Sequence, residues 1–275
     1  MVDSHCHLDF PDYQGDFDAV LERTKSALDF VVNVGTDVRT SERAVELAEA
    51  NPFIYAAVGV HPHDATTVTS QAADRLKTLA VSKRVVAIGE CGLDYAKLTP
   101  GEEETEKRLQ RQAFEAQIEV ARERKLPLII HCRDAYDDLL IIFRQSQLAN
   151  RQSSDTSGEE RRTSGELRGV IHCYLGSAAT AQELMSMGFY ISFTGIITFK
   201  NASPELLESV RQVPLERMLL ETDAPFLTPV PYRGKRNEPA YVVGVAKKVA
   251  ELKAVPYEEV DRVTTHNART LFSIT

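Results

Sequence analysis

Short apolar runs alternate with helical segments along the whole chain, and this alternation restricts the fold more than any other feature of the sequence. Eight runs qualify as candidate strands, namely residues 2–7, VVNVG (31–35), IYAAVGVHP (54–62), VVAIGE (85–90), PLIIHC (127–132), GVIHCY (169–174), YISFTG (190–195) and RMLLETD (217–223). They are rich in Val and Ile and almost continuously apolar, as is typical of parallel strands that are covered on both faces.

Segments with a helical period separate these strands, for example at residues 15–30, 40–50 and 103–125. The third is long and amphipathic, and its basic last turn suits the negative end of a helix dipole. Such alternation predicts a parallel sheet, either doubly wound or closed. The G-x-G-x-x-G motif that usually follows the first strand of a doubly wound fold is absent. We therefore predict a single TIM (β/α)8 barrel domain across residues 1–275, with its active site at the C-terminal rim of the strands.

One segment interrupts the alternation. Residues 147–169 are polar, lack a regular period and contain several Ser and Gly residues. We interpret them as a mobile surface loop. A substrate lid is an alternative interpretation, but no residue pattern supports it.

The composition excludes several classes of protein. A hydrophobic content of 43% with a charged content of 26% is ordinary for a globular enzyme and excludes extensive disorder. No secretory signal is visible, and the longest apolar stretches are too short to span a bilayer, so we expect a soluble, cytoplasmic protein with no membrane partner. A net charge of −8 argues against a broad basic face for duplex DNA but leaves room for a small phosphate site.

The positions of the histidines point to a metal centre. Six of the seven lie at or just after the carboxyl ends of predicted strands: His5, His7, His61, His63, His131 and His172. Two carboxylates, Glu90 and Asp223, end strands in the same way. In a barrel these ends form one rim, where active sites are built. Each residue alone could serve packing, but their concentration on one rim predicts bound metal. The seventh, His266, lies in a C-terminal helix and is expected to be structural.

Cysteines directly follow four of these candidate ligands, at Cys6, Cys91, Cys132 and Cys173. Because neighbouring strand residues face opposite ways, the thiols are expected to point outward, between strands and helices, and to act as small apolar residues. The alternative, thiolate ligation, would exchange two histidines for one cysteine at Cys6. No C-x-x-C pair is present, which also argues against a thiolate zinc site.

The number of candidate ligands suits two ions that share one ligand. The first and last strands are adjacent in a closed barrel, so one ion would be held by His5, His7 and Asp223. The other would be held on consecutive strands by His131 and His172. Glu90, from the middle of the barrel order, is the candidate bridge. Mg²⁺, Mn²⁺ and Zn²⁺ all accept mixed histidine and carboxylate ligation.

Eight ordered motifs resemble those of the TatD family of metal-dependent deoxyribonucleases, and they run from residue 3 to about residue 272. They are DSHCHLDF, GVHPHD, IGECGLDY, IIHCRDA, GVIHCYLG, ISFTGIITFKN, LLETDAPFLTP and RGKRNEP. The resemblance implies a TIM barrel of the metallo-dependent hydrolase superfamily with two divalent ions, magnesium by preference. It implies the same ligands as the strand order: His5, His7, Glu90 and Asp223 for one ion, and Glu90, His131 and His172 for the other.

A few positions depart from the family pattern. Cys91 replaces an apolar residue, Cys132 replaces a common Ser, Tyr174 and Leu175 replace a common Phe-Thr pair, and the 147–169 segment is longer than usual. All candidate ligands are retained. The departures therefore bear on the range of substrates and not on the chemistry.

A mechanism for phosphodiester hydrolysis follows from these residues. The ions would lower the pKa of a bound water, and Asp223 would accept its proton. Glu90 would act as the shared ligand, and the resemblance implies that His63 contacts the scissile phosphate. Neighbouring phosphates would be bound by Arg133 and by the RGKRNEP segment, that is by Arg233, Lys235, Arg236 and Asn237. For that segment, a solvated loop is the alternative interpretation.

We expect a monomer that cleaves DNA ends or short single strands as a 3′–5′ exonuclease. Amidohydrolase-like or D-aminoacyl-tRNA deacylase activity is the enzymatic alternative, because the same activated water can attack a carbonyl group. A metal-loaded scaffold that only binds a partner would be expected to lack a ligand, and none is missing.

Overall fold

Eight parallel strands form a barrel in the computed structural model, which describes residues 1–152 and 167–275. The strands follow chain order around the sheet: β1 (Val2–Cys6), β2 (Phe30–Val34), β3 (Ile54–Val58), β4 (Val85–Asp94), β5 (Leu128–Arg133), β6 (Gly169–Ile171), β7 (Tyr190–Phe193) and β8 (Met218–Leu220). Each strand pairs in parallel with the next one. The predicted TIM barrel is thereby confirmed.

Helices alternate with these strands through most of the described chain. They are α1 (Phe17–Ala27), α2 (Val38–Ala50), α3 (Ser70–Leu79), α4 (Glu103–Arg124), α5 (Tyr136–Gln152), α6 (Ala178–Ser186), α7 (Pro204–Gln212), α8 (Val242–Lys253) and α9 (Tyr257–Phe272). Several begin at a capping side chain that accepts from a backbone N–H of the first turn, as Asp37 does for α2 and Ser203 for α7. No helix in the described ranges is both long and apolar enough to cross a membrane.

Two apolar layers lie on the two faces of the sheet, as expected for strands that are buried on both sides. Val31 and Val32 are neighbours on β2 and belong to different clusters of buried residues. The larger cluster contains Val31 and residues of the surrounding helices. The smaller one contains Val32 and also Leu271 and Phe272 from the end of α9.

The barrel closes between β1 and the residues that follow β8. The backbone N–H of His7 donates to the carbonyl oxygen of Ala224 at 2.8 Å, and that of Asp223 donates to His5 at 3.0 Å. The predicted strand 217–223 ends early, at Leu220, and Asp223 beyond it has a left-handed backbone conformation with φ of 56°. This closure brings the first and last strands of the chain together at the rim.

Strand β4 extends beyond its predicted end and approaches β5 closely at the rim. Gly92 has φ of 139°, and a Cβ atom there would overlap the carbonyl oxygen of His131. Only glycine is compatible with both constraints. The close approach places Glu90 beside the side chain of His131.

The segment 147–169, predicted as a mobile loop, is described only at its two ends. Residues 147–152 continue α5, so the loop prediction is wrong for them, and Gly169 begins β6. Residues 153–166 lie outside the described residues, so the loop prediction stays a prediction there.

Candidate metal centre

Four of the predicted ligands meet where the barrel closes: His5, His7, Glu90 and Asp223. The Nε2 atoms of His5 and His7 are 3.2 Å apart. From Nε2 of His5, Oε2 of Glu90 is 3.4 Å away and Oδ1 of Asp223 is 3.7 Å away. Ligand atoms arranged tetrahedrally at about 2.0–2.2 Å from one ion lie roughly 3.3–3.6 Å from each other. The four side chains therefore have the spacing of one coordination shell.

The carboxylate of Glu90 faces two groups of histidines, one with each oxygen. Oε2 lies 3.4 Å from Nε2 of His5 and 3.9 Å from Nε2 of His7. Oε1 lies 2.8 Å from Nδ1 of His131 and 3.6 Å from Nε2 of His61. A carboxylate in this position can be shared between two ions, as the sequence predicts for Glu90.

His172, predicted as a ligand of the second ion, lies between the two groups. Its Nε2 atom is 3.8 Å from Oε1 of Glu90 and 3.8 Å from Oδ1 of Asp223, and its ring stacks on that of His5. His61 lies as close to Glu90 as His172 does. The sequence predicts His61 at the rim without a role, and the structure makes it a further candidate for the second ion.

A polar group behind the ring orients His7. Its Nδ1 atom lies 2.8 Å from the carbonyl oxygen of Val34. A partner of this kind, behind the ligating nitrogen, selects the tautomer and fixes the ring, so Nε2 of His7 is directed toward the centre. Nδ1 of His172 lies 2.8 Å from Oε1 of the fully buried Glu221, which is a close electrostatic contact without the geometry of a hydrogen bond.

Asp94 contacts two histidines at the edge of the centre. Its Oδ2 atom lies 3.0 Å from Nε2 of His131 and 3.2 Å from Nε2 of the half-exposed His63. Neither Asp94 nor Glu221 is predicted from the sequence. Their spacing from two predicted ligands could have indicated them. Asp94 is four residues after Glu90 on β4, and Glu221 is two residues before Asp223. Residues separated by an even number of positions lie on the same face of a strand.

Burial and charge shift the histidine pKa values in opposite directions. Burial lowers the pKa of His61 to about 4. Burial also disfavours protonation of His131, but its hydrogen bonds to Asp94 and Glu90 outweigh this and raise its pKa to about 9. Proximity to two carboxylates therefore decides which imidazole attracts positive charge.

The carboxylates of the centre are held in their charged form. Burial disfavours the charge on Glu90, yet the surrounding histidines keep its pKa well below the usual value. Burial acts in the same way on Asp223, where the imidazoles of His7, His172 and His5 around the carboxylate lower the pKa. The centre thus concentrates negative charge where no Lys or Arg side chain neutralises it among the described contacts.

The lone pairs of this centre fit a divalent cation. A carbonyl oxygen only accepts, so Nδ1 of neutral His7 carries the proton toward Val34, and its Nε2 lone pair faces Oδ1 of Asp223 at 3.5 Å. Nδ1 of His5 is buried without a hydrogen-bond partner. Imidazole nitrogens and carboxylate oxygens that converge in this way are the ligands preferred by Zn²⁺ and Mn²⁺, and the carboxylates also suit Mg²⁺.

An open cavity of about 670 Å³ adjoins the centre and has two chemically different sides. The exposed cations Lys97, which follows β4, and Arg133, the last residue of β5, line one side. Phe10 and Phe226 line it after β1 and β8. In an eight-stranded barrel these strand pairs lie on opposite sides. The half-exposed His63 also borders the cavity.

Of the predicted phosphate-binding residues, only Arg133 lines this cavity. Arg236 instead makes a bidentate ion pair with Asp16, with N–O distances of 2.7 and 2.9 Å, and lies against the ring of Tyr13. The guanidinium group of Arg233 lies 3.8 Å above the ring of Phe199. The structure therefore places these two arginines in contacts that hold the segment after β8, away from the cavity lining.

Asn237, also predicted to bind substrate, is fully buried. Its Nδ2 donates to the carbonyl oxygens of Thr222, at 2.9 Å, and Phe226, and its Oδ1 accepts from the backbone N–H of Glu238 at 2.9 Å. Both polar atoms of the side chain are occupied, so a substrate has no access to them. Asn237 instead fixes the turn that carries Asp223.

Three cysteines lie as predicted and one does not. Cys6, Cys91 and Cys132 belong to the apolar cluster between strands and helices. Cys173 is partly exposed and lines the cavity, with its Sγ atom 3.5 Å from Oγ1 of Thr194. The prediction fails there because Cys173 has φ of 45°, which ends the alternation of strand faces.

Comparison with known proteins gives consistent matches over the full chain. The family profile described as "TatD related DNase" matches residues 2–273. The uncharacterized metal-dependent hydrolase YabD of Bacillus subtilis is 43% identical over 275 residues, covering 100% of this chain and 99% of that protein. The 3′-5′ ssDNA/RNA exonuclease TatD of Klebsiella pneumoniae is 33% identical, and the match covers 100% of this chain and 98% of that protein. The crystal structure of YjjV, a TatD homologue from Escherichia coli, superposes with a TM-score of 0.85 at 28% identity. The superposition covers 100% of this chain and 98% of YjjV.

Proposed function

The chain belongs to the TatD related DNase family, and from that premise we propose that it is a 3′–5′ exonuclease that removes nucleotides from single-stranded DNA. The observation that supports this most directly is the position of Glu90. Its two oxygens face separate histidine groups beside a cavity with a cationic side. A shared carboxylate of this kind is typical of two-metal phosphodiester hydrolysis.

The residues that would hold the two ions are His5, His7, Glu90 and Asp223 for one, and Glu90, His131 and either His172 or His61 for the other. We propose Mg²⁺ as the resident ion, with Mn²⁺ and Zn²⁺ compatible with the same ligands. When bound, such ions lower the pKa of water and neutralise charge on phosphate oxygens.

The chain's own side chains would supply the remaining steps. Asp223 faces the cavity with its carboxylate charged, so it can accept the proton of the attacking water. His63, half exposed and 3.2 Å from Oδ2 of Asp94, can donate to an oxygen of the scissile phosphate. Lys97 and Arg133, on the cationic side of the cavity, can bind the neighbouring phosphates.

The charge distribution supports a single strand as the substrate. The net charge of −8 would repel a long duplex, whereas Lys97 and Arg133 would attract phosphates only at the cavity. A cavity of about 670 Å³ falls within the range of small-molecule sites and accommodates a chain end more readily than a duplex.

The test is the release of mononucleotides from 5′-labelled and 3′-labelled single-stranded DNA by metal-stripped protein supplied with Mg²⁺, Mn²⁺ or Zn²⁺ in turn. We expect early loss of the 3′ label, progressive shortening of the 5′-labelled strand and no cleavage of circular single-stranded DNA. Cleavage of the circle would instead indicate an endonuclease.

The variant Glu90→Gln tests the role of the shared carboxylate. Glu90→Gln keeps the side-chain volume and removes the charge that two ions would share, so release should fall by at least two orders of magnitude. Thermal unfolding of the same sample would show that the variant is folded. Unchanged release by folded Glu90→Gln would contradict the mechanism. If the wild-type protein releases nothing with any metal, hydrolysis of aminoacyl-tRNA esters is the next reaction to assay.

A further inference from the structure

A large aromatic ring stands half exposed at the edge of the candidate metal centre. The side chain of Phe226 is 50% exposed and lines the cavity. Its ring centroid lies 6.5 Å from that of His7 and 5.9 Å from that of Phe10, edge to face in both cases. Because the residue is half exposed, part of the Phe226 ring remains accessible from the cavity beside these neighbours.

The turn that bears Phe226 is held firmly to the centre. The backbone N–H of Phe226 donates to the carbonyl oxygen of Asp223 at 2.9 Å. The carbonyl oxygen of Phe226 accepts from the buried side chain of Asn237. Because the same turn carries the candidate ligand and the ring, the distance between the two is set by the fold.

Three further apolar residues line the cavity after β6, β7 and β8: Leu175, which is 41% exposed, Ile196 and Leu227. The cations Lys97 and Arg133 lie at the ends of strands on the side of the barrel opposite β8 and β1. A ligand that fills this cavity would therefore combine an anionic part, for a metal-loaded centre and the cationic side, with a flat apolar part for Phe226.

We propose that Phe226 is the platform on which the base of the terminal nucleotide stacks while its phosphate lies at the metal centre. The proposal rests on the function proposed above and adds how the strand end is recognised. Stacking on an aromatic ring tolerates any base, because every base has a π face. It also requires an unpaired base, so the platform would select single-stranded ends over paired ones.

The test measures stacking directly, without cleavage. The probe is a short single-stranded oligonucleotide with 2-aminopurine at its 3′ end and phosphorothioate linkages, titrated with protein in Mg²⁺. A second oligonucleotide, labelled at its 5′ end, has an abasic 3′ residue and is followed by anisotropy. The variants are Phe226→Ala, Phe226→Tyr and, as control, Tyr232→Ala, which changes an exposed aromatic residue of the same segment that stacks on Tyr241.

We expect the wild-type protein, Phe226→Tyr and Tyr232→Ala to quench the 2-aminopurine fluorescence. Phe226→Ala should lose the quenching and bind the base-bearing strand roughly 5- to 150-fold more weakly, the usual range for removal of one stacking ring. The abasic strand should bind the wild-type protein and Phe226→Ala equally.

Two results would overturn the platform: quenching that persists in Phe226→Ala, or an equal loss of affinity for the base-bearing and abasic strands. Failure of the wild-type protein to bind or quench the probe would overturn it as well. Quenching by a protein that releases no nucleotides from normal DNA would leave the platform in place and contradict the proposed exonuclease function. The two proposals therefore fail through different measurements.

Discussion

Oδ2 of Asp94 lies 3.0 Å from Nε2 of His131. Nδ1 of the same ring lies 2.8 Å from Oε1 of Glu90, so the two ring nitrogens face different carboxylates. To bind an ion, the ring would give up its Nδ1 proton and keep its Nε2 proton directed at Asp94, so that the Nδ1 lone pair would face the candidate centre. A buried carboxylate behind a metal-binding histidine fixes the tautomer and increases the basicity of the ligand.

The variant Asp94→Asn is therefore expected to weaken metal binding. The amide has nearly the same volume but no charge, so the hold on the His131 ring is reduced. Loss of such a partner typically costs about 10- to 100-fold in metal affinity or activity. Metal titrations followed by calorimetry, with nuclease assays at each metal concentration, would measure the change.

Asp64→Asn is the matched control for that variant. Asp64 is an exposed carboxylate that lines the same cavity. Its substitution removes one negative charge from the cavity without contact to His131. Equal weakening of metal binding by both variants would show that general charge is responsible, and wild-type affinity in Asp94→Asn would contradict the role of Asp94.

Most of the fold was predictable from the sequence, because strands that are buried on both faces are largely apolar. The starts of all eight strands agree with prediction to within one residue. The ends agree less well. Strand β6 ends at Ile171 and β8 at Leu220, before their predicted ends, and the residue types do not indicate the positive φ values of Cys173 and Asp223 that follow.

The convergence of the candidate ligands was predictable because histidines and carboxylates are concentrated at the ends of several strands, but the residues that contact them from behind were not. Glu221 and Asp94 resemble any acidic residue near a rim until the fold shows which ring nitrogen each one contacts. Arg236 and Asn237 were misplaced for the converse reason. A basic, polar segment after the last strand has the composition of a phosphate site, and only the tertiary contacts to Asp16 and Thr222 reveal its structural role.

Asn237→Leu is expected to reduce both stability and activity. The substitution leaves the buried carbonyl oxygens of Thr222 and Phe226 without their donor, which costs about 1–3 kcal/mol for a buried polar group. Because the turn carries Asp223, kcat should fall as well. Urea unfolding gives the free energy of unfolding, and nuclease assays below the unfolding transition give kcat.

Asn267→Leu separates the two effects. Asn267 is also buried and donates to the carbonyl oxygens of Leu215 and Met218, at the start of β8 and away from the rim. Its substitution should lower the free energy of unfolding by a similar amount and leave kcat unchanged. An equal fall in kcat for both variants would show that Asn237 has no specific effect on the centre.

Arg133→Ala should weaken binding of single-stranded DNA and make it less sensitive to salt. For a single strand, each phosphate that the protein no longer neutralises reduces the slope of log K against log salt concentration by about 0.7. Arg236→Ala should leave that slope unchanged, because its guanidinium group is paired with Asp16. Affinities measured between 50 and 200 mM salt, roughly the range over which such slopes are resolved, would distinguish the variants. A larger change of slope in Arg236→Ala than in Arg133→Ala would show that Arg236 contacts the DNA.

Removal of divalent ions should lower the thermal stability of the protein. A ligand that binds only the native state stabilises it by about 2.7 kcal/mol at 100 times its dissociation constant, so a domain of this size should gain about 5–10 °C in Tm when metal is restored after chelation. His266→Ala, which changes an exposed histidine of α9, should keep the full gain. Glu90→Gln should lose most of it, because the group that faces both histidine clusters has lost its charge. A wild-type Tm that is indifferent to metal would show that these side chains, however well spaced, do not hold an ion.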